Sequence, residues 1–513
     1  MAFRYVSRPR TRSGILLASM PSLSALGTGS ASNPVFSGSL IASLASSFTA
    51  TASGIFVPPD VGGGSTIVPT HYVEVDAGGS GIGTISNPFT LAQACALAQP
   101  NWDVQMGPGV YVGPNHNATF AASFSIPTLG TQSNKIRFFA KNYAALTSSG
   151  RTIIQNGATS DGQGCPVFAL NTGQELLGIY VNEDQSRAHA DSGVIVVSGQ
   201  YAAVRYCRIS RGVIPWTNAN NHSAVRLEPA QFCEVTDNWL ENYTGASVSE
   251  QAVMVFSNGN TGNSIAHSIS IDHNMFDNNK CPATIKGAGT ARPWGGNLRF
   301  RNNLCRAANT NQDQGGPFLM DTGSANGRNV VSQNIIMGGC YGVITYFQAS
   351  GNITDVDIVN NTFVNITNNG DRSGMHADWF GASTTPASWR IHNNIKTGSA
   401  ILDMYRYSAD AALLSRSHNL SLGGSRWAES FNRSAATLAQ WQALGFDAGS
   451  LLVDPHFVSS IWGSPDLAKL ELDSPCRNAA IDILNLNGGG TSAACHMGAY
   501  SADDVVIGIR PLT

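Results

Sequence analysis

The sequence predicts an all-β chain: a right-handed parallel β-helix from about residue 71 to residue 513, behind a short N-terminal arm. Three observations predict it. A phrase made of a hydrophobic residue, two further positions, Asn and a second hydrophobic residue recurs at intervals of 25 to 36 residues. Short strand-like runs fill each interval, with no helical periodicity between them. Charged residues are only 12% of the chain while Gly reaches 54 residues, which suits many short strands joined by tight turns.

The phrase is carried by Val235–Trp239, Ile271–Met275, Phe300–Leu304 and Val331–Ile335, then by Ile358–Asn361 and Ile391–Ile395. Asn419-Leu420 closes the series, and Val204–Cys207 opens it with Cys in the Asn place. A variable period in this range marks a solenoid whose loops differ in length. Strands that return to one Asn-bearing turn per period stack those Asn residues at ~4.8 Å per coil. Their amides then bond to one another and to turn backbone groups. The role expected of them is structural. The repeat length predicts about ten to thirteen coils.

Residues 1–70 read differently. Val35–Pro59 is small and β-branched in loose alternation, which suggests two or three strands too short to fold alone. Pro58-Pro59 and Gly62-Gly63-Gly64-Ser65 form a linker pattern. An attachment arm is expected here, with a disordered tail as the alternative. Arg4, Arg8, Arg10 and Arg12 precede a patchy apolar run broken by Pro21. That run is read either as an exposed basic arm or as a signal peptide.

A net charge of −3 gives no electrostatic case for nucleic acid. No apolar run approaches the ~18–20 residues of a membrane-spanning helix, so no membrane insertion is expected. The nine cysteines have no CxxC pair or metal-ligand spacing, so neither a metal nor a cofactor is expected. Cys476 and Cys495 flank a short Gly-rich loop and are the best disulfide candidates.

The ends carry a family resemblance. His71–Gly113 contains a first strand, a Gly-rich turn, Asn87-Pro88-Phe89, a helix-like Thr90–Ala98 and the turn Gly107–Tyr111. The tail contains Leu438–Gln442, Asp454–Phe457, Asp473–Cys476 and Met497–Tyr500. These segments resemble the opening and the endings of parallel β-helix proteins of the pectate-lyase-like superfamily, phage tailspikes among them. The resemblance implies an N-terminal cap over about 71–113 and a C-terminal capping region over about 420–513. It is specific for fold and weak for chemistry, since such proteins include lyases, hydrolases, epimerases and non-enzymes.

Strand alternation gives one outward column if Val225/Leu227, Val253/Val255, Ala283/Ile285, Phe318/Met320 and Met375/Ala377 point inward. The outward residues then include Glu228, Phe256, Lys286, Asp321, Tyr346, His376 and Asp378, with Trp379 beside them. Asp321 and Asp378 would lie two coils apart, ~9.6 Å, near the upper spacing of an inverting glycosidase pair. His376 would tune one of them. Glu228, Phe256, Lys286, Tyr346 and Trp379 would hold the sugar. The competing reading is an ordinary solvated strand face. A calcium-dependent lyase could draw on Asp237, Glu241 and Asp272, with Arg226 or Lys286 as base, but no compact acidic cluster stands out. Hydrolysis is therefore ranked above lyase chemistry.

Three functions are expected in order. The first is a virion appendage whose β-helix engages surface polysaccharide and whose arm joins other virion proteins. The second is a secreted bacterial polysaccharide hydrolase or lyase. The third is a non-catalytic decoration or adhesion protein. Self-association of the rod is a further expectation.

Overall fold

The computed structural model describes the chain from residue 67 to residue 510. Within that span it leaves out residues 114–121, 143–150, 156–165, 183–192, 212–221, 245–250, 258–264, 287–294, 309–314 and 321–325. It also leaves out 348–354, 368–375, 381–388, 399–401, 408–413, 424–425, 431–432, 488–489 and 504. The expected arm and most of its linker lie outside the described residues.

Three long sheets make the body, each with twelve strands among the described residues. One coil visits them in turn. Ser223–Gln231 lies in the first sheet, Glu234–Thr236 in the second and Trp239–Glu241 in the third. The next coil repeats the path through Gln251–Phe256, Ile269–Asp272 and Met275–Asn279. Neighbouring coils pair in parallel. The fold is the expected parallel β-helix. The core is the lumen, where Val225, Val253, Phe276, Ile285, Phe300 and Ile358 pack fully buried.

The turn between the second and third sheets holds the coils in register. Asn238, Asn274, Asn303, Asn334, Asn361, Asn394 and Asn419 stack there, each with no exposed surface. The Nδ2 of Asn303 donates to Asn334 Oδ1 at 3.0 Å and to the Ile271 carbonyl at 2.8 Å. Its backbone N–H also donates to Asn334 Oδ1, at 2.9 Å. The same set repeats at Asn274, Asn334, Asn361 and Asn394. Cys207 starts the column as expected, its N–H donating to Asn238 Oδ1 at 2.9 Å. The residue before each Asn takes a left-handed turn, as at Asp237, His273 and Asn302. Asp272-His273-Asn274 is therefore a turn of this ladder.

The helix Leu91–Leu97 closes the first end. Thr90 Oγ1 accepts the Gln93 N–H at 3.2 Å, and Gln93 Oε1 accepts the Thr90 N–H at 3.0 Å, a reciprocal cap. Leu91, Ala94 and Cys95 turn into the core. At the far end the short helix Leu438–Gln442 has the same box from Thr437 and Gln440, and buries Leu438 and Trp441. Arg416 lies 4.7 Å from the Trp441 ring, and Trp427 Nε1 donates to Asp447 at 2.9 Å.

Beyond this helix the chain turns back along the third sheet. Gly498 N–H donates to the Asn393 carbonyl at 2.7 Å, Gly508 N–H to Asn302 at 2.7 Å, and Arg510 Nε to Asp237 at 2.9 Å. This tail covers an outward apolar row of Trp239, Met275, Leu304 and Ile335 with Trp462, Leu467 and Ala499. Cys476 and Cys495 sit in its packing around Ile395 and Leu420. Both are free, which corrects the expected disulfide: they act as small apolar residues in a dry interface.

Candidate functional site

Of the three outer faces, the third is occupied by the tail. The second carries ion pairs across coils. Asp357 receives Arg328 at 2.5 Å and Arg390 at 2.6 Å. Burial pushes the Asp357 carboxyl up, but the two guanidinium groups outweigh it and hold it below its ordinary value. The calcium ligands considered from sequence are neutralised in the same manner. Arg510 pairs with Asp237, Arg208 with Glu241 and Arg301 with Asp272. Carboxylates so engaged are poor calcium donors, and this argues against that site.

The first sheet remains. Pairing fixes one outward row along it: Phe256 beside Lys286, Lys286 beside Met320, Met320 beside Tyr346, and Tyr346 beside Trp379. Glu228, next after the Leu227–Val255 pair, opens the row. The five positions expected to hold a saccharide thus share one line of the sheet. For Tyr346, His376, Asp378 and Trp379 the description is of backbone pairing only.

At the start of the row, side chains interlock. Arg226 Nε donates to Glu228 Oε2 at 2.6 Å. The Arg226 guanidinium and the Lys286 ammonium lie 5.9 and 6.0 Å from the Phe256 ring centre. Phe256 is only 9% exposed, so its ring supports the two cations. This end of the row offers positive charge beside a carboxylate that is already bonded.

The expected acid–base column departs from the register. The inward placing of Phe318 and Met320 puts Leu319 outward with Asp321. Leu319 instead pairs with Ile285 and is fully buried, while Phe318 pairs with Thr284 and Met320 with Lys286. Asp321 itself lies outside the described residues. His376 pairs with Val343 and Asp378 with Thr345, two core positions with no exposed surface, while Ala377 pairs with Ile344 and Trp379 with Tyr346. The reason is the period of two: a slip of one residue exchanges the faces of a strand. Loops of unequal length enter each of these strands, and the sequence alone does not set that register. The alternation argument that joined Asp321 to Asp378 does not carry through.

Sequence reasoning also missed a group on the tail. His456, Glu471 and Asp473 bring one ligand atom each to within 4.8 Å of one another. They are partly or fully exposed, and His456 Nδ1 lies 3.6 Å from Asp473. Their wide separation from the repeat phrase gave no signal.

No family model matches this sequence, and no curated protein sequence matches it. Solved structures do. The pectate lyase Pel9A is similar with a TM-score of 0.52 at 13% identity, over 85% of this chain and 98% of that one. A rhamnogalacturonan lyase gives 0.37 at 12% identity, over 84% and 100% of the two chains. An alginate lyase from Paenibacillus sp. gives 0.30 at 12% identity, over 67% and 96%. The chain therefore has the pectate-lyase-like parallel β-helix fold. At this identity the likeness is one of fold.

Proposed function

We propose that this protein engages an extended polysaccharide along the outer face of its first sheet. The observation that carries the reading is the row Glu228, Phe256, Lys286, Met320, Tyr346 and Trp379, in consecutive register along the first sheet. Coils ~4.8 Å apart present one such position after another to a polymer lying along the axis. Aromatic residues stack on sugar faces, and Lys286 and Arg226 favour acidic sugars. The pectate lyase that shares the fold acts, by its name, on such a polymer. Cleavage is the finer part of the reading. Glu228 is the described carboxylate of the row, bonded to Arg226.

The order of arm, linker and rod supports a second element of the proposal, that residues 1–70 join the rod to a virion or other assembly. The test of the main reading is affinity electrophoresis in gels containing polygalacturonate. Lys286→Ala and Trp379→Ala should each weaken retention about tenfold with an unchanged melting temperature. If both variants migrate as the parent does, the first-sheet site is wrong. New reducing or unsaturated ends in the same mixtures would mark cleavage.

A further inference from the structure

The second sheet carries a groove that the proposed first-sheet site does not use. A hollow of about 300 Å³ lies where the first sheet turns into the second, lined in part by Tyr201, Phe232, Glu234, Ser270, Asn297 and Arg299. A neighbouring hollow of about 340 Å³ shares Gln132 and Lys135 with it, so the depression extends over several coils. Its floor is low because the small residues Ala203 and Ser270 stand on either side of Glu234 in the same row.

The rim is unusual in its residue types. Each coil turns here through a residue with positive φ, a conformation that suits Gly and Asn and costs bulky residues. Equivalent turns use Gly173, Ser268 and Asn297. Two successive coils instead use Tyr201 at φ 58 and Phe232 at φ 54. Their rings stack with centroids 5.2 Å apart and planes 12° from parallel, and Phe232 is 45% exposed. The turn itself calls for neither ring. Backbone strain held at a surface aromatic pair points to a ligand.

The charge of the groove narrows that ligand. Most cations of this sheet are committed: Arg137 to Asp103 at 3.1 Å, and Arg205 to Glu234 at 2.5 Å. Arg299 is exposed and forms no ion pair among the described residues. It follows Ser270 in the same outward row, beside the Asn297 turn. A ring rim, a hydroxyl, an amide and an unpaired guanidinium along one axial groove match a sugar strand bearing carboxylates.

We infer that the second-sheet groove is a separate binding site for an acidic polysaccharide strand, held against Tyr201 and Phe232 with a sugar carboxylate at Arg299. It stands apart from the first-sheet reading, because no residue is shared.

The experiment is affinity electrophoresis of the full chain in polygalacturonate, alginate and hyaluronan gels, with dextran as the neutral control, alongside thermal melts and sedimentation. Tyr201→Asn and Phe232→Asn suit the turn backbone, so melting temperature should hold or rise while retention in at least one acidic gel falls about tenfold. Arg299→Ala should weaken retention in that same gel and leave dextran mobility unchanged. Lys286→Ala and Trp379→Ala report on the first sheet alone, so either reading can fail without the other. Parent-like retention of Phe232→Asn, with or without lower stability, would make the rings a structural stack and overturn the inference. So would a parent protein retained by none of the acidic gels, or a Phe232→Asn variant that changes only the sedimentation of the chain.

Discussion

The outward rows of the third and first sheets are built by the same strand alternation, yet they meet opposite fates. On the third sheet the residue after each ladder Asn points outward, as at Trp239, Met275, Leu304 and Ile335, and the tail seals the row. On the first sheet the equivalent strands carry Arg226, Glu228 and Lys286, partly exposed. An apolar outward row therefore marks a face that another part of the same chain must cover. The tail also reaches backward past many coils, so it joins regions that the repeat links only to their neighbours.

The comparison breaks most visibly if the cover is removed. Truncation after Pro455 would expose the apolar third-sheet row, where a buried large side chain contributes about 1.5–3 kcal/mol. Several are lost together, so the expected outcome is insoluble or dye-binding protein, read by soluble yield and hydrophobic-dye fluorescence. A truncated chain as soluble and as stable as the parent would show the cover to be dispensable.

A smaller effect tests the ladder that both faces share. Asn334→Ala removes a fully buried amide and leaves the Asn303 amide, the Asn303 N–H and the Phe300 carbonyl without their partner. Unpaired buried groups cost about 1–3 kcal/mol each, so a loss of roughly 3 kcal/mol is expected from denaturant unfolding. A loss below about 0.5 kcal/mol, the scale of ordinary surface changes, would contradict the ladder's role.

The smallest effect depends on pH. Burial, with help from His418 and Arg390, pushes the His392 imidazole down to about 4 from 6.5, against the pull of Asp357. It rests between Ser417 and Ser415 at 2.8 and 3.0 Å. The unfolded chain takes up this proton near 6.5 and the folded chain only near 4. The unfolded state thus binds more protons in that window, and stability falls as pH drops through it. The loss attributable to His392 is at most about 3 kcal/mol. His392→Gln should flatten that part of the stability profile between pH 6.5 and 4, and an unchanged slope would refute the assignment.

Much of the fold was legible because it is periodic. Asn238 through Asn419 announce one turn per coil, and a repeated turn with strand-like runs between leaves few architectures. The caps were legible for the same local reason, in Thr90 with Gln93 and Thr437 with Gln440. The candidate row was legible in part: Glu228, Phe256, Lys286, Tyr346 and Trp379 do fall on one line of strand pairing. Leu319, His376 and Asp378 did not follow, because each strand enters from a loop of its own length and a one-residue slip inverts it.

The sequence by itself determined the coil, its period and its buried amide ladder, since those arise from contacts between residues about one repeat apart. Only the tertiary structure decided which outer face the tail covers. The second hydrophobic residue of every phrase looks the same in sequence whether it enters the lumen or waits under a cover. What settles it is a tail that returns past one coil after another to pack Trp462 into the third-sheet row and set Arg510 on Asp237. That contact spans 273 residues, and no local pattern encodes it.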